Sequence, residues 1–437
     1  MSIQQNFPAI SPSLNLNFAR SKTLDPRITF SRTSTATRVN EQGLVEVVSA
    51  DIPRFDHKYE NGVIKSLGLL VEESRENLVN YSESFDSWTT GNVDVGINTT
   101  TAPDGTQSAE SLIERDQNYS GGAYRRNNVT IGTAYSGQLT YSVFLKAAEV
   151  TTVGLIIDIP ELGDPRANVN LTSSTTSGSG TNSTYKVESF LNGWKRVSVT
   201  STNSLSNYTG TFAVAIYLNG YVGFDNTGNY GDKVYVWGAQ LERGAFPTSY
   251  IPTSGGTATR NPDNASITGD NFSDWYNPTE GTVLSIFNTI YEGSLRTGTT
   301  PGVWGISQTV SENNTFNGYG LTIRADTRKF SYAHRVIIDA YNVNVSLVNF
   351  IETETIQPYT KYKVSCSYAD NELKMSPTGQ ETLTRDDANY GLLPKTTLFI
   401  GNQRSGGSPP YELTGHISQL TYYPRRLSNS QLQNLTK

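Results

Sequence analysis

The chain has 437 residues, which at about 150 residues per domain suggests roughly three domains. Its 34 Lys and Arg residues against 40 Asp and Glu residues leave a net charge of -6, and only 17% of the residues are charged. Such a chain has no basic surface to attract phosphate backbones, so we predict that it does not bind nucleic acid.

The composition favours strands and turns. The chain is rich in Ser, Thr and Asn, with 25 Tyr, 38 Gly and only 2 Met. Thr and Tyr suit a pleated sheet, whereas Gly and Asn supply turns. The single cysteine, Cys366, excludes a disulfide framework and a cysteine-based zinc site. No basic-then-apolar leader and no apolar stretch of spanning length is present, so we predict neither secretion nor membrane insertion.

Residues 1–75 contain short apolar pieces separated by prolines, too few for an independent core. We interpret them as a docking segment. Its arginines could form salt bridges within one protomer or pair with acidic surface on another subunit. A polar segment with too little apolar surface for a stable core must attach to another surface, which favours the second explanation. The candidate docking residues are Arg20, Arg27, Arg32 and Arg54, and the acidic partners within the protomer would be Asp25, Asp51, Asp56, Glu72 and Glu73.

Residues 76–256 show strict alternation of large apolar residues, which predicts half-buried strands. The clearest runs are Leu139-Tyr141-Val143-Leu145, Val153-Leu155-Ile157 and Phe212-Val214-Ile216-Leu218. Asn192-Gly193 and Asn219-Gly220 can supply positive φ at reversals between such strands. A linker-like stretch at 252–257 ends this series. We predict an antiparallel sandwich.

Residues 257–437 carry a second strand series, from Val283–Phe287 to His416–Tyr423. Tyr362-Val364-Cys366-Tyr368 alternates and turns at Ala369-Asp370-Asn371. A final helix is predicted by the capping box of Ser428 and Gln431, with Leu427 before the cap contacting Leu432. We expect this helix to cover the edge or end of a second sandwich.

Several segments share wording and order with a known family. They are Asn17–Arg20, Pro26–Thr37, Pro53–His57, Gly68–Leu78, Trp237–Glu242, Thr248–Thr253 and Phe272–Pro278. Together they resemble a family of bacteriophage and prophage virion proteins. Gly415-His416-Ile417 and Tyr422–Ser428 are similar to concanavalin-A-like (laminin-G-like) jelly rolls of phage fibres and capsid appendages. The middle segment resembles a carbohydrate-binding-module jelly roll.

The resemblance implies a virion protein of the tail-fibre or head-fibre type, assembled in the host cytoplasm. The expected fold is all-β, with two antiparallel jelly-roll β-sandwiches, a small N-terminal docking segment and a short C-terminal helix. The expected units are 1–75 for docking, 76–256 for the carbohydrate-binding-module-like sandwich and 257–437 for the concanavalin-A-like sandwich. Expected partners are other virion proteins, further copies of the chain (a trimer if it forms a fibre) and host-surface polysaccharide.

Motifs for catalysis are weak. Glu352-Thr353-Glu354 would place two carboxylates on one strand face, but the longer acidic motif of the glucanases of this fold is missing. His57, His334 and His416 are isolated, so no zinc-hydrolase spacing exists. The oxygen-rich stretch Asp225–Asp232 lacks EF-hand spacing. We predict no enzyme, no metal and no cofactor, with a glycan depolymerase left as an alternative.

Sugar binding uses aromatic faces together with polar side chains, and both are abundant in this chain. Trp88, Trp194 and Trp237 occur in strand-like contexts and are predicted to lie in the core. The candidate glycan-binding residues flank Gly-rich turns of the second sandwich, where loops or a concave face would be accessible: Trp304, Tyr319, Arg324, Tyr332 and His334. Packing between subunits is the rival explanation for them.

The predicted function is therefore non-enzymatic attachment to host-surface glycans, in which many weak contacts on one particle add up. The main alternative is a purely structural capsid decoration or adaptor protein that binds only neighbouring virion subunits.

Overall fold

The computed structural model describes residues 10–115, 122–221, 229–290, 301–307, 317–323, 329–338, 343–344, 348–351, 355–388, 395–402 and 412–437. In these ranges the chain is all-β, as predicted, and its four large sheets form two antiparallel jelly-roll sandwiches. None of the helices in these ranges is long and apolar enough to cross a membrane.

The first seven strands precede the first sandwich. They are β1 (Leu14–Leu16), β2 (Thr29–Ser31), β3 (Ala36–Val39), β4 (Val45–Val48), β5 (Arg54–Glu60), β6 (Val63–Val71) and β7 (Arg75–Asn77).

The first sandwich consists of twelve strands in the described part of the chain. They are β8 (Thr89–Gly91), β9 (Val93–Thr100), β10 (Ala109–Glu114), β11 (Tyr124–Gly137), β12 (Leu139–Ala147), β13 (Thr152–Asp158), β14 (Arg166–Asn170), β15 (Thr175–Ser179), β16 (Ser183–Ser189), β17 (Lys195–Ser201), β18 (Leu205–Leu218) and β19 (Lys233–Arg243). One sheet has the order β16-β17-β12-β19-β10-β9 and the other β15-β14-β13-β18-β11-β8.

The alternation seen in the sequence produces the core of this sandwich. The predicted residues of β12, β13 and β18 all belong to one buried apolar cluster. The turn at Asn192-Gly193 has φ values of 57° and 80°, the left-handed conformation that the pair was expected to supply. The strand and turn predictions are thus confirmed at these positions.

The remaining elements follow the first sandwich. They are β20 (Ala258–Arg260), β21 (Asn264–Thr268), α1 (Asp270–Ser273), β22 (Gly281–Thr289), β23 (Gly302–Ser307), β24 (Asn317–Ile323), β25 (Phe330–Ile338), β26 (Val343–Asn344), β27 (Val348–Ile351), β28 (Tyr362–Ala369), β29 (Asn371–Pro377), β30 (Leu383–Ala388), β31 (Thr397–Ile400), β32 (Gly415–Tyr423) and α2 (Asn429–Thr436).

The second sandwich recruits strands from both ends of the sequence. Its first sheet has the order β30-β29-β28-β22-β32-β6-β5, with β1 paired to β32. The second sheet has the order β2-β21-β31-β23-β24-β25-β26, with β27 paired to β25. Leu16, Phe55 and Leu69 therefore lie in the same core as Val364 and Ile417.

This pairing corrects the interpretation of residues 1–75 as a separate docking segment. The short apolar pieces are too small to form a core alone, and they instead complete a core whose other strands lie more than 200 residues later. The β3–β4 hairpin packs on the outside of the first sandwich, where Val45 joins Phe144, Trp194 and Trp237. The N-terminal region thus connects the two sandwiches of its own chain.

The chain passes between the sandwiches twice at one place. β7 leads into the first sandwich and β20 leads out of it, and the two strands pair antiparallel, with Asn77 opposite Ala258 and Arg75 opposite Arg260.

The C-terminal helix α2 is confirmed together with its cap. The Ser428 hydroxyl accepts the N–H of Gln431, and the Gln431 side chain accepts the N–H of Ser428 at 2.9 Å. Leu427 and Leu432 share a small buried cluster with Tyr423, and the helix lies against β28 and β29.

Candidate functional site

The aromatic residues predicted to bind glycans are buried. Trp304 on β23, Tyr319 on β24 and Tyr332 on β25 are 0%, 1% and 0% exposed and belong to the core of the second sandwich. Tyr319 stacks on Tyr368 with ring centroids 4.6 Å apart. The expectation that these three rings are accessible is therefore wrong.

The cause of the error is the role of the neighbouring glycines. Gly302, Gly305, Gly318 and Gly320 were interpreted as turn residues, but they lie within β23 and β24. In a strand, neighbouring side chains point to opposite faces. Gly318 and Gly320 therefore lie on one face of β24, and the ring of Tyr319 between them points to the opposite face, which is the core face.

Other predicted positions cannot be placed. Arg324 and Glu352-Thr353-Glu354 lie outside the described residues. His334 belongs to β25, opposite Tyr319, but its side chain is outside the described part of the structure. Trp88, Trp194 and Trp237, by contrast, are 3%, 1% and 2% exposed, so their assignment to the core is confirmed.

Two of the four predicted docking arginines are buried inside the chain. Arg54 and Arg32 have fully buried side chains, and both contact the carboxylate of Asp263, which is 3.0 Å from Arg32 Nη1. Arg54 Nη1 also donates to Glu72 at 2.7 Å, and Glu72 lies 3.0 Å from Arg260. The docking prediction is wrong for Arg32 and Arg54, because a buried guanidinium needs its own counter-charge.

This buried ion network joins the two sandwiches at the crossing of β7 and β20. Burial opposes ionisation of Glu72, but the charges of Arg260 and Arg54 outweigh it and hold the pKa of that carboxyl well below its usual range. Ser249, on the segment leaving the first sandwich, donates both its N–H and its hydroxyl to Glu72, at 2.8 and 2.6 Å. The network therefore has a structural role, which is to hold the two sandwiches together.

The other two arginines lie at the surface. Arg27 forms a salt bridge of 2.8 Å with Asp25 of the same chain. This agrees with the first explanation for these arginines, in which they form salt bridges within one protomer. Arg20 is exposed, and its role in docking stays a prediction.

A row of tyrosines lies on the outer face of the first sandwich. Tyr124 on β11 is opposite Tyr217 on β18, with ring centroids 5.1 Å apart. Tyr221, just beyond β18, contacts Tyr217 edge-on at 4.9 Å. All three rings are partly exposed. We call these three residues the tyrosine platform.

Small residues make room for the platform. A Cβ atom at Gly91, which pairs with Tyr124, would come within 2.3 Å of the Tyr124 ring. At Gly154, opposite Tyr217, a Cβ atom would lie 2.6 Å from the backbone nitrogen of Tyr221. The side chain of Asn168 holds that segment in place by accepting the Tyr221 N–H at 2.6 Å. The sheet is thus shaped to carry three rings at this end.

Polar groups lie beside the rings on the same sheet face. Arg126 forms a salt bridge of 2.9 Å with Asp158, and both side chains are more than a third exposed. The guanidinium of Arg166 lies over the Tyr221 ring at 5.1 Å. Burial raises the pKa of Tyr217 to about 12, so its hydroxyl is a neutral hydrogen-bond donor at physiological pH. Aromatic faces with adjacent hydrogen-bonding groups suit a polyhydroxylated ligand.

A signal for the platform was present in the sequence. The alternation that places Phe212, Val214 and Ile216 in the core also places Tyr217 on the opposite, outer face. A large aromatic residue facing outward on a strand is worth attention. Its pairing with Tyr124, more than 90 residues earlier, depends on strand register and was not visible.

Glu110 is a carboxyl group to consider as a possible catalytic acid. Burial raises the pKa of Glu110 to about 7, but the carboxyl group is 4% exposed and accepts the backbone N–H of Phe85 at 2.9 Å inside the first sandwich. Within the described residues no three His, Cys, Asp or Glu side chains are grouped to hold a metal ion.

Comparison with known proteins gives no family. No family model matches the sequence, and no curated protein matches it. The CBM40 of the Ruminococcus gnavus IT-sialidase, solved with α2,3-sialyllactose, aligns at 11% identity and a TM-score of 0.30, over 38% of this chain and 86% of that one.

Two further solved structures align over longer ranges. Domains LG4-5 of the mouse laminin α1 chain align at 9% identity and a TM-score of 0.25, over 69% of this chain and 88% of that one. Trypanosoma rangeli sialidase with sialic acid gives 10% identity and a TM-score of 0.29, over 98% and 97%. Similarity this low carries no inference about the ligand or activity of this chain.

Proposed function

We propose that this chain is a non-enzymatic attachment protein that binds glycans through the tyrosine platform of its first sandwich. The observation that carries the proposal is the row of partly exposed rings of Tyr124, Tyr217 and Tyr221. Aromatic rings beside hydrogen-bonding groups suit the apolar face and the hydroxyls of a sugar, and packing of the same rings against another subunit is the adaptor alternative.

The biological setting is the part of the proposal that rests on the sequence. Several segments resemble phage and prophage virion proteins and follow one another in the same order as in that family. This resemblance supports a particle appendage of the tail-fibre or head-fibre type. On such a particle, many copies of a weak site give useful total affinity. The expected ligand is therefore a polysaccharide of the host surface, and the expected partners are neighbouring virion proteins.

The test is a glycan-array screen of the purified chain and of Tyr217→Ala. Alanine suits this position, because the same face of β18 already carries Ala213 and Ala215. We expect the variant to fold and to lose about tenfold or more in affinity for any glycan that the parent binds. Tyr230→Ala is the matched control, since Tyr230 is 74% exposed and lies outside the platform.

Two results would overturn the proposal. One is equal glycan binding by the parent and Tyr217→Ala; the other is a parent that binds no glycan at all. Incubation with bound polysaccharide should release no oligosaccharide, and steady release would support the depolymerase alternative.

A further inference from the structure

A cavity of about 340 Å³ lies between the two sandwiches, away from the tyrosine platform. Its walls come from β3 and β5, from the β16–β17 edge of the first sandwich, and from β22 and β32 of the second. This volume lies within the range of small-molecule sites, about 300–1,000 Å³, and such sites are common where domains meet.

The polar groups at the base of the cavity are fixed in place. One carboxylate oxygen of Asp56 accepts the Val39 N–H at 2.7 Å, and the other lies 2.8 Å from Nε2 of His416. Nδ1 of His416 lies 3.0 Å from the side-chain oxygen of Asn288, which also accepts the His416 N–H. Side chains locked by their neighbours are what a preorganised binding site requires.

Charges in the wall are compensated within the wall. Lys58 pairs with Glu60 at 2.7 Å, and Lys186 pairs with Glu188 at 2.9 Å. Burial opposes ionisation of Glu188, but the charges of Lys186 and Arg196 lower its pKa below the ordinary value. Since these cations and anions balance, the wall offers hydrogen bonds without selecting a charged ligand.

Tyr359 stands at the wall in an unusual backbone conformation. Its φ is +59°, which is rare for a bulky residue, and its N–H donates to the Thr289 carbonyl at 2.7 Å. Tyr359 is 37% exposed, and Nζ of Lys186 lies over one face of its ring, 3.1 Å from the centroid, so the residue reaches from the second sandwich to the first. Such conformations are energetically costly and concentrate at functional sites.

We propose that this cavity binds one unit of a neutral saccharide, with the Glu188 carboxylate accepting its hydroxyl groups and the Tyr359 ring covering its apolar face. The inference rests on the proposed glycan-binding function and adds a second site of stated ligand class. Hydrolysis there is not expected, because both oxygens of Asp56 already face donors and Glu188 is ionised. The ionised Glu188 carboxylate cannot act as the required acid.

The test uses the full-length chain and calorimetric titration with the methyl glycosides of glucose, galactose and mannose, and with glucuronate as the acidic counterpart. Tyr359→Asn removes the ring with a residue that tolerates positive φ, so the backbone conformation at this position should be kept. Glu188→Gln keeps the shape of the carboxylate and removes its charge. Tyr230→Ala serves as the exposed control.

We expect at least one neutral glycoside to bind, and to bind about tenfold more weakly to Tyr359→Asn and Glu188→Gln. Tyr230→Ala should bind it like the parent. Binding of glucuronate in preference to all three neutral sugars would overturn the assignment of ligand class. Absence of neutral binding, or binding unchanged in both cavity variants, would overturn the site.

These outcomes separate the two proposals. If array binding depends on Tyr217 while no methyl glycoside binds the cavity, the further inference fails and the proposed function stands. If a glycoside binds and depends on Tyr359 while Tyr217→Ala leaves array binding unchanged, the platform proposal fails and the cavity proposal survives.

Discussion

Replacing Asp263 by asparagine should disrupt the buried ion network between the sandwiches and lower the unfolding free energy by several kcal/mol. The fully buried carboxylate of Asp263 contacts Arg32 and Arg54 and accepts the Glu72 N–H at 2.9 Å. A neutral amide would leave three buried guanidinium groups, including that of Arg260, with Glu72 as the neighbouring carboxylate. Breaking a buried ion pair costs about 3–5 kcal/mol, so we expect Asp263→Asn to lose that much unfolding free energy.

A surface salt bridge provides the matched control. The side chains of Arg27 and Asp25 are 32% and 24% exposed, and such pairs contribute about 1 kcal/mol or less. Both variants make the same chemical change from carboxylate to amide. Urea unfolding followed by fluorescence of the five tryptophans should therefore show a much larger shift for Asp263→Asn than for Asp25→Asn.

A second substitution isolates the electrostatic cause. Adding Arg32→Met to Asp263→Asn removes the cation that has lost its counter-charge, together with its hydrogen bonds to the Ser34, Ser49 and Ile52 carbonyls. The double variant should therefore be more stable than the sum of the two single losses predicts, as a double-mutant cycle measures. Equal losses of unfolding free energy in Asp263→Asn and Asp25→Asn would refute this account of the network. A double variant that loses more unfolding free energy than its two single variants lose together would refute it as well.

Two further predictions concern other buried groups. Burial raises the pKa of Glu110 from 4.5 to about 7, so the folded state favours the protonated form of this carboxyl group. Relative to Glu110→Gln, the parent should therefore lose about 3 kcal/mol of unfolding free energy as the pH rises from about 4.5 to about 7. Denaturation at several pH values checks this, and a difference independent of pH would contradict it. Ser428→Ala should cost about 1 kcal/mol by removing the cap of α2, whereas Ser428→Asp keeps an accepting oxygen and should not; equal losses in thermal unfolding would show that the cap is unimportant.

Local features of the fold were predictable from the sequence. The alternation in β12, β13, β18 and β28 fixed their buried faces, and the capping box at Ser428 and Gln431 fixed the start of α2. These signals depend on residues only a few positions apart. The pairing of β1 and β6 with β32, and of β2 with β21, depends on contacts across hundreds of residues, which no local period records.

The site was harder to predict for a related reason. Tyr319 between two glycines has the same local sequence whether the glycines form a turn or a strand, and only the strand buries the ring. Tyr217 had the correct outward position in the strand pattern, but its value as a site depends on Tyr124 beside it. Arg32 and Arg54 needed the position of Asp263 before their burial could be understood.

The pairing of β7 with β20 means that the first sandwich is an insertion into the second. Asn77 and Ala258 are directly opposite one another, about 5 Å apart, so the chain could be closed there with a very short loop. Residues 78–257 are therefore the piece that could be excised while every strand of the second sandwich keeps its partner. A cut at residue 257 that discards the C-terminal part would instead remove the strands that pair with β1, β2 and β6. An evolutionary exchange of the first sandwich would follow the same boundaries.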